Sequence, residues 1–224
     1  MVIGKVAQER LITKRALLVG IGGIGTLTAE YIVRAGINLR VIDKDKVELS
    51  NLQRQVLFNM DDVGKPKAKV AEEKLRRINP DVEVEGFEKS FSPENALGLF
   101  RGVDIVLDGT DNLRTRFVMN DAAVKKGVPY VYAACASTIG VVSFLRGRPC
   151  LNCFMPSKKE GLSASTAGVL GPTAGLVASI QVYLAIRYLA SLKVEANRLY
   201  TCSLKNGVDV VKVEKNSSCD TCGT

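Results

Sequence analysis

Histidine and tryptophan are both missing from this chain of 224 residues, and the first absence removes a whole class of chemistry. Without imidazole there is no histidine base, no Ser-His or Cys-His pair and no histidine metal ligand. Any proton or metal chemistry must therefore fall to carboxylates, amines or thiols. No basic N-terminus leads into an apolar h-region, so export is not expected and a cytoplasmic location is. Internal repeats and low-complexity tracts are also absent. Acidic residues are the scarcer charge, 23 Asp and Glu against 31 Lys and Arg. The net +8 favours acidic partners such as nucleotide phosphates, although lysine-rich solvated helix faces account for it equally well. An apolar content of 46% suffices for one large core and predicts a single domain over residues 1–224.

One run without charge, Leu162 to Ile186, has the length of a bilayer span. It also holds Ser163, Ser165, Thr166, Thr173, Ser179 and Gln181, with Pro172 suited to a first helical turn. A buried helix from Pro172 to about Ala190 is the expectation, and no membrane span.

The most informative stretch is Val19-Gly20-Ile21-Gly22-Gly23-Ile24-Gly25, which follows the apolar run Ala16–Leu18 and opens a helical pattern over Ile24–Ala35. Glycines at such a strand-to-helix turn bring backbone N–H groups up to a phosphate at a helix N-terminus, so Gly22, Gly23 and Gly25 are candidate nucleotide contacts. The next strand, Asn38–Asp43, ends in an acid eighteen residues after Gly25, where a Rossmann-type unit places a carboxylate on ribose. Further strands are expected at Val82–Gly86, Val103–Leu107, Val128–Ala134 and Ile139–Leu145, and two more near Arg198–Leu204 and Val208–Val213. Helices are expected at Gly64–Ile78, Pro93–Phe100 and Arg114–Lys126. This alternation predicts a Rossmann-like, mostly parallel sheet with helices on both faces, followed by antiparallel strands. Two places at strand C-termini are candidates for active-site groups: the polar stretch Lys44–Asp62, and Asp108-Gly109-Thr110-Asp111-Asn112 with two carboxylates facing the crevice.

Six cysteines include the pairs Cys150/Cys153 and Cys219/Cys222. With thiols kept reduced, two CxxC knuckles read as a closed four-thiolate zinc site that clips the C-terminal tail onto the body. A redox dithiol or two disulfides is the alternative. Cys135 and Cys202 read as small buried residues rather than nucleophiles.

At Asn51-Leu52-Gln53-Arg54-Gln55, Gly64-Lys65-Pro66-Lys67-Ala68, Ile78-Asn79-Pro80, Asp108–Asn112 and the two CxxC pairs, the chain closely resembles the ThiF/MoeB/HesA-type adenylyltransferases, prokaryotic relatives of ubiquitin-activating enzymes. The similarity runs from Gly4 to Gly223. It implies an enzyme that uses ATP and Mg²⁺ to adenylate the C-terminal carboxylate of a small ubiquitin-like sulfur carrier ending in Gly-Gly, works as a homodimer and needs no nucleic acid. It implies a nucleotide-binding part at 14–135 and a carrier- and zinc-binding part at 136–224. By the same resemblance Gly23 and its loop line the nucleotide and Asp43 holds the ribose. Asn51, Arg54 and Lys67 contact phosphates with Ser50 and Gln55 beside them, and Asp111 binds Mg²⁺ assisted by Asn112. Taken alone, Lys67 would be a solvated helix lysine and Asp111-Asn112 a helix cap. Arg116 stays open between a helix-face cation and a site member, and Asp45 and Asp108 read as supporting.

The chain departs from the family where many relatives carry a transfer cysteine. Its matching stretch, Leu162–Val169, has Ala164 at that place and no thiol, which predicts adenylation without covalent transfer to this segment. Two other readings are a non-catalytic partner of an activating-enzyme pair and an NAD-dependent oxidoreductase. The latter leaves Arg54, Lys67 and Asp111 unexplained.

Overall fold

The computed structural model describes residues 3–155 and 167–223. Eight strands form one sheet in the order β3-β2-β1-β4-β5-β6-β7-β8. The parallel part holds β1 (Arg15–Val19), β2 (Asn38–Asp43), β3 (Val84–Glu88), β4 (Ile105–Asp108) and β5 (Tyr130–Ala136). From β5 onward the pairing is antiparallel through β6 (Ile139–Leu145), β7 (Arg198–Ser203) and β8 (Gly207–Lys212).

Alternation along β1 shows why helices must cover both faces. Ala16 and Leu18 point into one core with α2 (Gly23–Arg34), α3 (Lys67–Ile78) and α7 (Gly171–Leu189). Leu17 and Val19 point into the other with α4 (Pro93–Leu99) and α5 (Leu113–Lys126). A strand buried on both sides is apolar throughout, as the run Ala16–Val19 is. A short α1 (Lys5–Leu11) precedes the sheet, and a helical turn, α6 (Leu151–Phe154), follows the first cysteine.

The uncharged run resolves as expected. Within it α7 begins at Gly171, and no helix among the described residues is long and apolar enough to cross a membrane. Gln181 in its middle is fully buried and bridges four elements. Its Nε2 donates to the carbonyls of Asp108 (2.9 Å) and Val131 (3.1 Å), and its Oε1 accepts from Thr28 Oγ1 (2.7 Å). Residues 162–166 of the transfer-segment reading lie outside the described residues.

Three local readings are corrected. Gly64–Pro66 is a turn rather than the start of α3, because proline at 66 has extended backbone (ψ 124°) and serves as the cap. The polar stretch 44–62 is not wholly irregular: Leu49–Asn51 and Met60–Asp62 are single helical turns, each with a reciprocal capping box. Asp108 is not presented to the crevice but is fully buried.

The chain leaves β1 for β2 on one side and returns to β4 on the other, so a cleft opens between the C-termini of β1 and β4. Gly20 (φ +87°) and Gly109 close its floor. A side chain on Gly20 would lie 2.7 Å from the backbone of Gly109, and one on Gly25 or Gly109 would strike the carbonyl of Gly20. Gly25→Ala should therefore destabilise the fold by about 2–3 kcal/mol, the range for strain that backbone cannot relieve. Urea denaturation measures it, and a loss under about 0.5 kcal/mol, the level of a neutral surface change, would show that the turn can yield.

Candidate active site

One cavity of about 1120 Å³ lies over this floor. Its wall brings together Gly22, Gly23, Asp43, Asn51, Arg54, Gln55, Lys67, Asp111 and Asn112 from five separate stretches of sequence. Two sequence candidates are not in the wall. Gly25 is buried, where its lack of a side chain admits the Gly20 carbonyl, and Ser50 is exposed, its Oγ donating to Glu48 at 3.4 Å. The wall also includes Lys89, Ser90 and Phe91, which follow the C-terminus of β3. The strand-end rule that singled out 44–62 and 108–112 could have found these three as well.

Asp43 stiffens the glycine turn directly. Its Oδ2 accepts from the Ile21 N–H (2.8 Å) and its Oδ1 from the Asp45 N–H (2.7 Å). Burial pushes its carboxyl above the ordinary range, opposed by those two N–H groups and by the charge of Lys67. Gly23 leaves room for Arg54: a side chain there would come within 3.4 Å of the Arg54 Cγ and of the Ala174 Cβ. Arg54 Nη1 donates to the Ser50 carbonyl (3.2 Å), which keeps the guanidinium over the turn. Lys67 is the first residue of α3, yet it is 93% buried rather than solvated, since only 7% of it is exposed. Its Nζ lies 3.9 Å from Asp45 Oδ2, a loose pairing that leaves the ammonium free to meet a second anion.

Asp111, three residues after β4, is an exposed residue of the cavity wall and makes no hydrogen bond or ion pair among the described residues. Asn112 is occupied: its Oδ1 accepts from the Thr115 N–H (2.9 Å) and caps α5, the role weighed for it from sequence alone. Beneath them lies a buried cluster. Asp108 accepts from Tyr130 Oη (2.7 Å), Arg116 Nε (3.2 Å) and both the N–H and Oγ1 of Thr110 (3.0 Å each). Burial raises its pKa, against these donors and the Arg116 charge. Arg116 is thus a buried ion-pair member rather than a helix-face cation.

These residues fit a nucleotide. Gln55 is 3% exposed and its Oε1, sealed behind the cavity wall, has no partner among the described residues, a buried polar atom of the kind that folded proteins rarely leave unpaired. Lys67 and Arg54 supply cations, and Asp111 supplies a free carboxylate of the hard-oxygen type that Mg²⁺ prefers.

Cys135 ends in the same wall, half-buried. Burial pushes its thiol up to about 11, only partly offset by Arg116 and Arg54. At pH 8 its thiolate fraction is then about 10⁻³, so iodoacetamide labelling should be on the order of 100-fold slower than for a free thiol. Labelling as fast as a free thiol would mean the group is not shielded. Cys202 is buried on β7.

The sulfurs of Cys150, Cys153, Cys219 and Cys222 all lie within 4.8 Å of one another, with Cys150–Cys219 at 3.6 Å and Cys153–Cys222 at 3.4 Å. No disulfide joins any of the four. Tetrahedral Zn–S bonds of about 2.3 Å place sulfurs roughly 3.8 Å apart, so this cluster could hold zinc.

The sequence matches the model of the ThiF family over residues 1–221. It is 39% identical over 230 residues to the sulfur carrier protein ThiS adenylyltransferase of Bacillus subtilis, covering 99% of this chain and 68% of that protein. It is 35% identical over 229 residues to the molybdopterin-synthase adenylyltransferase of Escherichia coli, covering 96% of this chain and 90% of that protein. Among solved structures, E. coli MccB with ATP superposes with a TM-score of 0.85 at 22% identity, covering 98% of this chain and 70% of that one, a likeness of fold. With a family match across nearly its whole length and relatives above 30% identity of which it covers 68% and 90%, this chain belongs to the ThiF family.

Proposed function

We propose that this chain is an ATP-dependent adenylyltransferase acting on the C-terminal carboxylate of a small ubiquitin-like sulfur carrier that ends in Gly-Gly. The observation that carries the reading is one cavity in which Arg54, Lys67 and an unpaired Asp111 converge above a glycine turn. The names of the relatives, sulfur carrier and molybdopterin-synthase adenylyltransferases, support the substrate class.

The chemistry suits a site without histidine. A terminal carboxylate has a pKa near ~3.3–3.7, is ionised at neutral pH and needs no general base. One carboxylate oxygen attacks the α-phosphorus, the bond to the bridging oxygen of the β-phosphate breaks, and pyrophosphate leaves with that electron pair. No proton moves. What the protein must supply is a fixed geometry and positive charge on the phosphate oxygens, the part taken by Arg54 and Lys67. Asp111 would hold Mg²⁺, which when bound acts as a Lewis acid on phosphate oxygens. The four cysteines would hold a structural zinc with no open position for reaction.

Acyl transfer to a crossover thiol is not part of this reading, since Ala164 occupies the matching place and Cys135 is held protonated. A homodimer belongs to the same proposal, and sedimentation measures it.

The test is carrier-dependent exchange of labelled pyrophosphate into ATP, using small proteins with Gly-Gly termini. Lys67→Ala should lower exchange by about 10²-fold, the scale of one lost electrostatic contact to a transition state. Exchange that survives intact in that variant would remove Lys67 from the reaction. Its total absence from the parent protein with every carrier tried would overturn the function.

A further inference from the structure

Arg116 has more donors than its buried partners use. Nε donates to Asp108 (3.2 Å), and Nη2 donates to the carbonyls of Thr110 (2.7 Å) and Ala133 (3.3 Å). Its guanidinium carbon also lies 5.6 Å from the centre of the Tyr132 ring. Nη1 has no hydrogen-bond partner among the described residues, although the side chain is more than nine-tenths buried. Arg116 is part of the cavity wall, and Nη1 is not among the sealed, unsatisfied atoms. The one free edge of this guanidinium therefore opens onto the cavity.

The place of that edge is specific. Thr110, whose carbonyl Arg116 holds, directly precedes Asp111. Arg116 lies against β5, whose residues in the cavity wall, Tyr132, Ala134, Cys135 and Ala136, are small or apolar groups without charge. Arg54 packs against Gly23 of the glycine turn, whereas Arg116 packs against β5. A charged phosphate belongs on the first side. An acyl group entering over alanines, with a polar oxygen only at its end, belongs on the other.

Resting on the adenylyltransferase reading, we propose that Arg116 is a substrate-binding residue whose Nη1 donates to the terminal carboxyl or carbonyl oxygen of the acyl group being activated. Because Arg116 is paired with Asp108, the pair brings little net charge and acts through a directed N–H bond. Three bonds already fix the guanidinium plane, so the donor is oriented before the substrate arrives. This assigns a further donor to the site with a task distinct from those of Arg54 and Lys67. They meet phosphate, and Arg116 meets the acyl end.

Two synthetic probes separate these tasks: AMP, and 5′-O-sulfamoyladenosine acylated with Gly-Gly, an unreactive mimic of the acyl-adenylate. Calorimetry on the full chain should show the parent protein binding the acylated probe far more tightly than AMP. Arg116→Lys keeps a cation for Asp108 but cannot make three fixed bonds and still present a fourth donor. It should weaken the acylated probe by about 10-fold or more, the loss of a hydrogen bond to a charged group, with AMP affinity unchanged. The neutral pair Asp108→Asn with Arg116→Gln leaves no buried charge behind and should show the same selective loss if Arg116→Lys folds poorly. Equal loss for both probes would make Arg116 purely structural, and no loss for either would mean Nη1 touches nothing; each overturns the proposal. A parent protein that prefers neither probe would instead count against the adenylyltransferase reading itself.

Discussion

Replacing Asp111 with alanine should lower carrier-dependent pyrophosphate exchange by on the order of 10²–10³-fold, the loss expected when a group that organises charge at the transition state is removed. The fold should not notice. Asp111 is exposed and makes no hydrogen bond or ion pair among the described residues, so its removal breaks nothing and the unfolding free energy from urea titration should change by no more than about 0.5 kcal/mol. That pairing of a large kinetic effect with a negligible stability effect makes the variant decisive. The neighbouring Asn112 gives the contrast. It caps α5, so Asn112→Ala should cost about 1 kcal/mol of stability through the lost cap. If Asp111→Ala retains exchange within a few-fold of the parent at saturating Mg²⁺, no metal is held there and the site needs another anchor.

The second large effect belongs to the cysteine cluster. Purified protein should carry about one zinc per chain, as four converging thiolates predict. Removing it should release the tail. Cys150 and Cys219 are 69 residues apart, and a cross-link closing a loop of that size contributes about 4 kcal/mol by restricting the unfolded chain. Metal-free protein, and Cys219→Ser, should therefore lose stability on that scale and become open to trypsin at Lys212 and Lys215. The contacts from Asn152 to Thr221 and from Thr221 to Asp121 would go with the tail, because they hold residue 221 against α6 and α5. A metal-free preparation with an unchanged melting temperature would refute a structural role for the cluster.

Strand β2 and strand β6 begin and end where the apolar pattern places them, and each helix of the pattern is found within a few residues of its expected start. These elements are legible because burial of one or two faces writes a period directly into the chain. The convergence of Gly23, Arg54, Lys67 and Asp111 on one cavity was visible only through motif order, since the fold brings them together from stretches far apart in sequence. What stayed hidden depends on tertiary pairing. Nothing in Leu162–Ile186 marks Gln181 as more than one polar residue that argues against a membrane. The aspartate at 108 looked like a crevice group until Tyr130, Arg116 and Thr110 were seen to close around it.

The amide of Gln181 also bears on how helix α7 can move. It is keyed simultaneously to α2, β4 and β5, so sliding the helix by one turn, about 5.4 Å, would strand two strand carbonyls and a threonine hydroxyl in a dry interior. The helix therefore behaves as a bolted rail rather than a piston.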